Sequence, residues 1–245
     1  MKYLFVGDVH NHKYMFDDIK SLDADYNFNR IIFMGDYVDD WFTDNTQSLD
    51  TLMTVFKFKD SNPDKYTLLL GNHELSYLGY PCSGHKYELE HEVNKILLDD
   101  INNLDLYTLV DCGGTEYVCT HGGITNIFAD EFLGENWKDR LYELNVNKLD
   151  NLNVLSRCSY FRGGNYSYSS FLWSDKKENQ LYNQDIPKIR HQIVGHTPVP
   201  TIQLVEDIFY TDTHSTYQDG SKYGDRTYLI WDDRGFIVEN SLING

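Results

Sequence analysis

The chain of 245 residues is long enough to bury a full core, as one large domain or two small ones. Hydrophobic residues make up 41% and charged residues 24%, a globular balance, and the formal net charge of −17 argues against broad binding to nucleic acid or docking on anionic lipid. A protein this acidic that handled a phosphorylated substrate would need positive charge concentrated locally, which a metal site supplies.

Tyr3–Gly7 reads as a strand that begins almost at once, its apolar run too short for a signal peptide before Asp8. Residues 12–22 suggest a helix, "RIIFMGD" a second strand ending at Gly35, and residues 46–60 a helix with Leu49, Leu52, Met53 and Phe56 on one face. "YTLLLGNHE" supplies a third strand, and this alternation predicts an α/β core with parallel strands. Residues 76–92 hold Gly, Pro and Ser near their middle and read as an irregular surface excursion, with helical pattern returning around 91–103.

Beyond that point the chain is richer in strands. "LYTLV", "TEYVCT", "HQIVGH", "TIQLV", "DIFYTD", "RTYLIW" and "FIVEN" are short and largely β-branched or aromatic, with one more helix at Glu135–Leu149. No repeat, linker or boundary interrupts the chain, so residues 1–245 read as a single domain of two packed mixed β-sheets flanked by helices. No run approaches the ~20 apolar residues of a membrane span. Cys82, Cys112, Cys119 and Cys158 form no CxxC pair and no zinc-finger spacing, and read as reduced thiols of a cytoplasmic protein.

Three strand candidates end alike. "FVGDVH", "FMGDYVD" and "LLGNHE" each run into a glycine and then deliver Asp or Asn. Ligands collect beyond the carboxyl ends of strands in open α/β sheets, so Asp8, His10, Asp36, Asp39, Asn72 and His73 are expected to converge. "YVCTHGG" and "QIVGHTP" repeat the device with His121 and His196. Carboxylate, imidazole and amide oxygen donors suit manganese, iron or zinc. Two such ions sharing one carboxylate, for which Asp36 is the candidate, could activate a bridging water and clamp a phosphoryl group.

In order, "GDVHN", "GDYVDD", "GNHE", "HGG" and "GHTP" resemble the calcineurin-like metallophosphoesterase superfamily, and "GDYVD", "GNHE", "HGG" and "LWSD" (Leu172–Asp175) most resemble its serine/threonine phosphoprotein phosphatases. Lambda-type phosphatases and the symmetrical diadenosine tetraphosphatase are similar in size. The resemblance implies a four-layer αββα sandwich. It implies two divalent ions, with manganese the first expectation, the first held by Asp8 and His10, the second by Asn72, His121 and His196, and Asp36 bridging both. His73 would be the general acid and Asp39 its partner, with a metal-bridging hydroxide as the nucleophile.

Departures from the pattern bear on the substrate. Relatives acting on phosphoproteins usually carry a phosphate-gripping arginine after the Asp39 equivalent, where this chain has Asp40. Arg162, in "YFRGGN", is the first candidate to replace it and Arg157 the second. Asn11 stands where glycine is usual, although asparagine tolerates a left-handed backbone. Thr197 and Pro198 follow His196, leaving that histidine as the only ligand in its motif, and His12 is a candidate for the pocket rim.

The expected substrate is a phosphoprotein or other phosphomonoester. A dinucleoside polyphosphate or nucleotide is the alternative, and a nucleic-acid end is made less attractive by the charge. An inactive protein-binding scaffold is the remote rival, opposed by a complete ligand set. Tyr77, Tyr80, Tyr87, Tyr160, Phe161, Tyr166, Tyr168 and Phe171 would shape the entrance, as packing more than as stacking platforms. The few prolines and many Asn, Asp, Tyr and Lys residues hint at an AT-rich bacterial or phage genome.

Overall fold

The computed structural model describes residues 1–41, 45–184 and 187–242. The first part of the chain alternates as β1 (Tyr3–Val6), α1 (Tyr14–Tyr26), β2 (Arg30–Phe33), α2 (Asn45–Ser61), β3 (Tyr66–Leu69), α3 (Asn72–Ser76), α4 (Glu90–Asp99) and β4 (Leu104–Asp105). A hairpin of β5 (Thr108–Cys112) and β6 (Thr115–Thr120) leads into the helices α5 (Asn126–Phe128), α6 (Trp137–Val146), α7 (Leu152–Leu155) and α8 (Lys176–Tyr182). The strands β7 (Gln192–Val194), β8 (Gln203–Val205), β9 (Ile208–Tyr210), β10 (Thr227–Asp232) and β11 (Gly235–Asn240) follow.

These strands form two mixed sheets. One has the order β11-β10-β1-β2-β3-β4, with β1 to β4 parallel, β10 antiparallel beside β1 and β11 antiparallel beside β10. The other has the order β5-β6-β7-β9-β8. Tyr3 and Phe5 of β1 face the layer between the sheets, with Ile32, Leu69, Val110, Cys119, Ile193 and Phe209. Leu4 and Val6 join Met15, Ile19, Leu52 and Val55 of the flanking helices. Because β1 is covered on both faces, its sequence is an unbroken apolar run, each large side chain contributing ~1.5–3 kcal/mol by burial.

Boundaries differ from the sequence reading for local reasons. α1 runs to Tyr26 and is stopped by Asn27 in a left-handed conformation, its N–H donating to the Asp23 carbonyl. The pattern at 91–103 divides into α4 and a 3-10 turn, Ile101–Asn103. "LYTLV" lies where the chain changes sheets: β4 ends at Asp105 beside β3, and β5 begins at Thr108 in the second sheet. All four cysteines are free thiols. No helix among the described residues is long and apolar enough to cross a membrane.

Candidate metal and phosphate site

The carboxyl ends of β1, β2, β3, β6 and β7 meet at one cavity of about 810 Å³, lined by His10, Asp36, Asn72, His73 and His196 among others. The loops there are tightly bent. His10, Asn11, Asp36, Asp39 and His196 all have positive φ, from +40° for His10 to +65° for Asn11, a cost that surrounding contacts must sustain. Asn11 thus adopts the left-handed turn expected of it, with its amide donating to Ser48 Oγ. The glycines ahead of Asn72 and His196 are needed for clearance: a Cβ on Gly71 would lie 2.1 Å from Asp36 Oδ1, and one on Gly195 would lie 2.2 Å from Asp8 Oδ1.

Two groups of lone pairs converge on Asp36. His121 Nδ1 donates to the Met34 carbonyl at 2.6 Å, so in the neutral ring Nε2 carries the lone pair. That nitrogen faces Asn72 Oδ1 at 2.9 Å, His196 Nδ1 at 3.2 Å and Asp36 Oδ2 at 3.3 Å. On the other side, His10 Nδ1 donates to the Asp39 carbonyl at 2.8 Å, and its Nε2 faces Asp36 Oδ2 at 3.7 Å and Asp8 Oδ2 at 3.8 Å. Asp8 Oδ2 is buried without a hydrogen-bond partner. Buried acceptors aimed at one another repel unless a cation lies among them, so this donor set fits divalent ions. Asp36, His121 and His196 form one group able to hold an ion, and His10, Asp36 and His73 another.

The local field follows the same geometry. Burial would raise the Asp36 carboxyl, but the imidazoles of His121, His73 and His10 outweigh it and hold it well below the usual range. Asp8, buried and beside Asp212, is pushed well above it. Burial opposes the charging of His121, yet in the ion-free site Asp36 and Asp8 raise it to about 9, so its Nε2 there carries a proton that a bound cation would displace. Burial, Arg162 and His121 push His196 well down.

His73 sits beside this cluster. Its Nδ1 is 2.9 Å from Asp39 Oδ2, and Asp39 Oδ1 accepts from the Tyr77 hydroxyl at 2.6 Å. Nδ1–H donation to Asp39 leaves Nε2 as the nitrogen that can pass a proton. Burial disfavours the imidazolium, but Asp36, Cys82 and Asp39 raise the group well above its ordinary value.

Glu74, in the first turn of α3, joins the loops around the site. Its carboxylate accepts from the backbone N–H groups of Tyr37 at 2.7 Å, Asp36 at 2.9 Å, Gly71 at 3.0 Å and Val38 at 3.3 Å. It therefore ties the loop after β2 to the start of α3. Tyr77, which anchors Asp39, was expected only as an entrance aromatic. "GNHE" hints at Glu74, but neither partner set could be found without the loops meeting in space.

The arginines separate. Arg162 lines the cavity, its Nη2 donating to the His196 carbonyl at 3.0 Å and its Nε lying 3.4 Å from Asp175 Oδ2. Arg157 is not among the lining residues: its guanidinium lies over Tyr166 at 4.2 Å, Tyr168 at 4.8 Å and Phe132 at 5.2 Å. A cation held among three rings is a packing element, which corrects its selection as a phosphate contact. His12 is likewise absent from the lining and packs on Tyr14. Of the entrance aromatics, Tyr80 lines the cavity, whereas Tyr77, Tyr168 and Phe171 are buried.

Known proteins share part of this sequence or this fold. The chain is 25% identical over 223 residues to serine/threonine-protein phosphatase ppe1 of Schizosaccharomyces pombe, covering 89% of this chain and 64% of that protein. The chain thus spans less than two thirds of the length of that relative. A serine/threonine phosphatase of Saccharomyces cerevisiae with similarity to human phosphatase PP5 shares the fold, with a TM-score of 0.63 at 15% identity over 100% of this chain and 81% of that one. So does a cold-active protein-tyrosine phosphatase of a Shewanella species, with a TM-score of 0.63 at 17% identity over 97% of this chain and 77% of that one. Residues 1–200, from β1 to the loop after His196, match the Metallophos family, and the chain therefore belongs to the calcineurin-like phosphoesterases.

Proposed function

We propose that the protein is a two-metal phosphomonoesterase acting on phosphorylated serine or threonine. The observation that carries this reading is Asp36 Oδ2 facing His10 Nε2 and His121 Nε2, with the His73–Asp39 pair in the same cavity. Asp8, His10 and Asp36 would hold one ion, and Asp36, Asn72, His121 and His196 the other. The oxygen and nitrogen donors favour manganese, with iron or zinc as substitutes. When bound, the ions supply a water of lowered pKa and positive charge against the phosphate.

The chain's own groups do the rest. Asp39 holds the His73 ring by Nδ1, so that Nε2 delivers a proton to the leaving oxygen. Arg162, held at the His196 carbonyl, contacts a phosphate oxygen in place of the arginine missing at position 40. Hydrolysis by metal-stripped protein with manganese returned tests the reading. The panel holds an aryl phosphate, phosphoserine and phosphotyrosine peptides, diadenosine tetraphosphate and an aryl phosphodiester. Manganese-dependent turnover of the aryl phosphate and the phosphoserine peptide is expected. Preference for the dinucleotide or the diester would move the function to nucleotide hydrolysis, and inactivity on every substrate with both ions bound would favour the scaffold.

A further inference from the structure

Charge around the cavity is unevenly matched. Asp36 and Asp8 face imidazoles, and Asp39 is taken up by His73 and Tyr77. Arg162 is the only lysine or arginine among the described lining residues. Asp40 also lines the cavity, and among the described residues no lysine, arginine or histidine lies within ion-pair distance of it. Its carboxylate is nevertheless fixed, because Oδ1 accepts from Trp41 N–H at 2.7 Å and from Thr216 Oγ1 at 3.1 Å. Two rings that line the same cavity are partly exposed, Trp41, next to Asp40 in the chain, at 50% and Tyr80 at 36%.

A fixed carboxylate without a cation repels a dianionic phosphate and attracts a positive group carried next to it. Exposed indole and phenol rings strengthen that choice, since they bind guanidinium and ammonium groups by their faces. The net charge of −17 draws a basic ligand toward the same surface.

We propose that Asp40, with Trp41 and Tyr80, selects phosphoserine and phosphothreonine peptides carrying a lysine or arginine beside the phosphorylated residue. The inference rests on the proposed phosphatase reading and names its substrate class. Arg162 takes the phosphate side of the peptide and Asp40 the flanking cation. An acidic neighbour would place two like charges together in one cavity.

The test uses manganese-loaded protein and peptide pairs that differ only in arginine or glutamate beside the phosphoserine. At low salt kcat/KM should favour the basic peptide by about tenfold, mostly through KM, and the preference should shrink as salt is raised. Asp40→Asn should reduce the ratio to about twofold, and Asp40→Arg should reverse it. Fluorescence anisotropy with non-hydrolysable phosphonate versions of the same peptides reads the preference independently of turnover. A basic preference that Asp40→Asn and Asp40→Arg leave unchanged overturns the inference. An Asp40-dependent preference in binding, without hydrolysis, supports it and overturns the phosphatase reading instead.

Discussion

His73 and its partners make a claim about leaving groups. An aryl oxide departs with little help, whereas the alkoxide of serine needs a proton. His73→Ala should lower kcat on a phosphoserine peptide by about 10²–10⁴-fold, lower it far less on an activated aryl phosphate, and leave manganese binding intact. Equal losses on both substrates would remove the general-acid role. The arginines give a second contrast: Arg162→Ala should raise KM about tenfold, while Arg157→Ala, which empties a cage of three rings, should lower stability by ~1–2 kcal/mol with little change in KM. A third residue, His214, carries an acid sensitivity away from the ligands. Its Nε2–H donates to the Thr227 carbonyl at 3.2 Å and its Nδ1 lies 3.1 Å from the Tyr14 hydroxyl. Burial, with His12 and Arg226 nearby, lowers it to about 3. The unfolded chain takes up this proton near pH ~6.5 and the folded one does not, so stability falls as pH drops from there toward 3, by at most ~1.4 kcal/mol per unit. Urea midpoints between about pH 7 and pH 5 should fall less steeply for His214→Gln than for the parent.

At the level of elements, the joint between the loop after β2 and α3 is the most exposed to single changes. Glu74→Gln replaces an acceptor of four backbone N–H groups by an amide that must turn its NH₂ toward some of them. A loss of ~2–4 kcal/mol and weaker manganese binding by calorimetry are expected. Gly71→Ala drives a methyl group into the Asp36 carboxylate, so metal binding should be lost while far-UV dichroism stays near the parent's. Much of this scale was legible in the chain, because an apolar run ending in glycine and a donor repeats at β1, β2 and β3. The resemblance of the motifs marked the same residues. The bonds of Glu74 and Tyr77 were not legible, since their partners lie on other segments and nothing at short range records the meeting. Arg157 misled for the same reason: Phe132 and Tyr166, which enclose it, are distant from it in sequence or follow a turn. The change of sheet just ahead of "LYTLV" was hidden because β4 is only two residues long and only tertiary packing assigns it and β5 to different sheets.

For the whole molecule, the proposed ligands come from strands of both sheets. Asp8, Asp36 and Asn72 follow strands of the six-stranded sheet, and His121 and His196 follow strands of the five-stranded one. An ion held across that seam would bind the folded chain and not the unfolded one. Chelation should therefore lower the thermal midpoint, and manganese at a hundredfold excess over its dissociation constant should restore ~2.7 kcal/mol. A midpoint indifferent to chelation, seen by calorimetry, would argue that the two layers are already locked without the ions.

β1 is flanked on one side by β2, close behind it in sequence, and on the other by β10, whose Leu229 pairs with Phe5. During synthesis the strand that carries Asp8 therefore waits until Thr227–Asp232 has left the ribosome before its second edge is covered. Over that interval an apolar edge lies open to neighbouring nascent chains, the condition under which strands pair between molecules. Truncations ahead of Thr227 should for that reason aggregate instead of merely losing activity, and chaperone dependence of this protein would arise at β1.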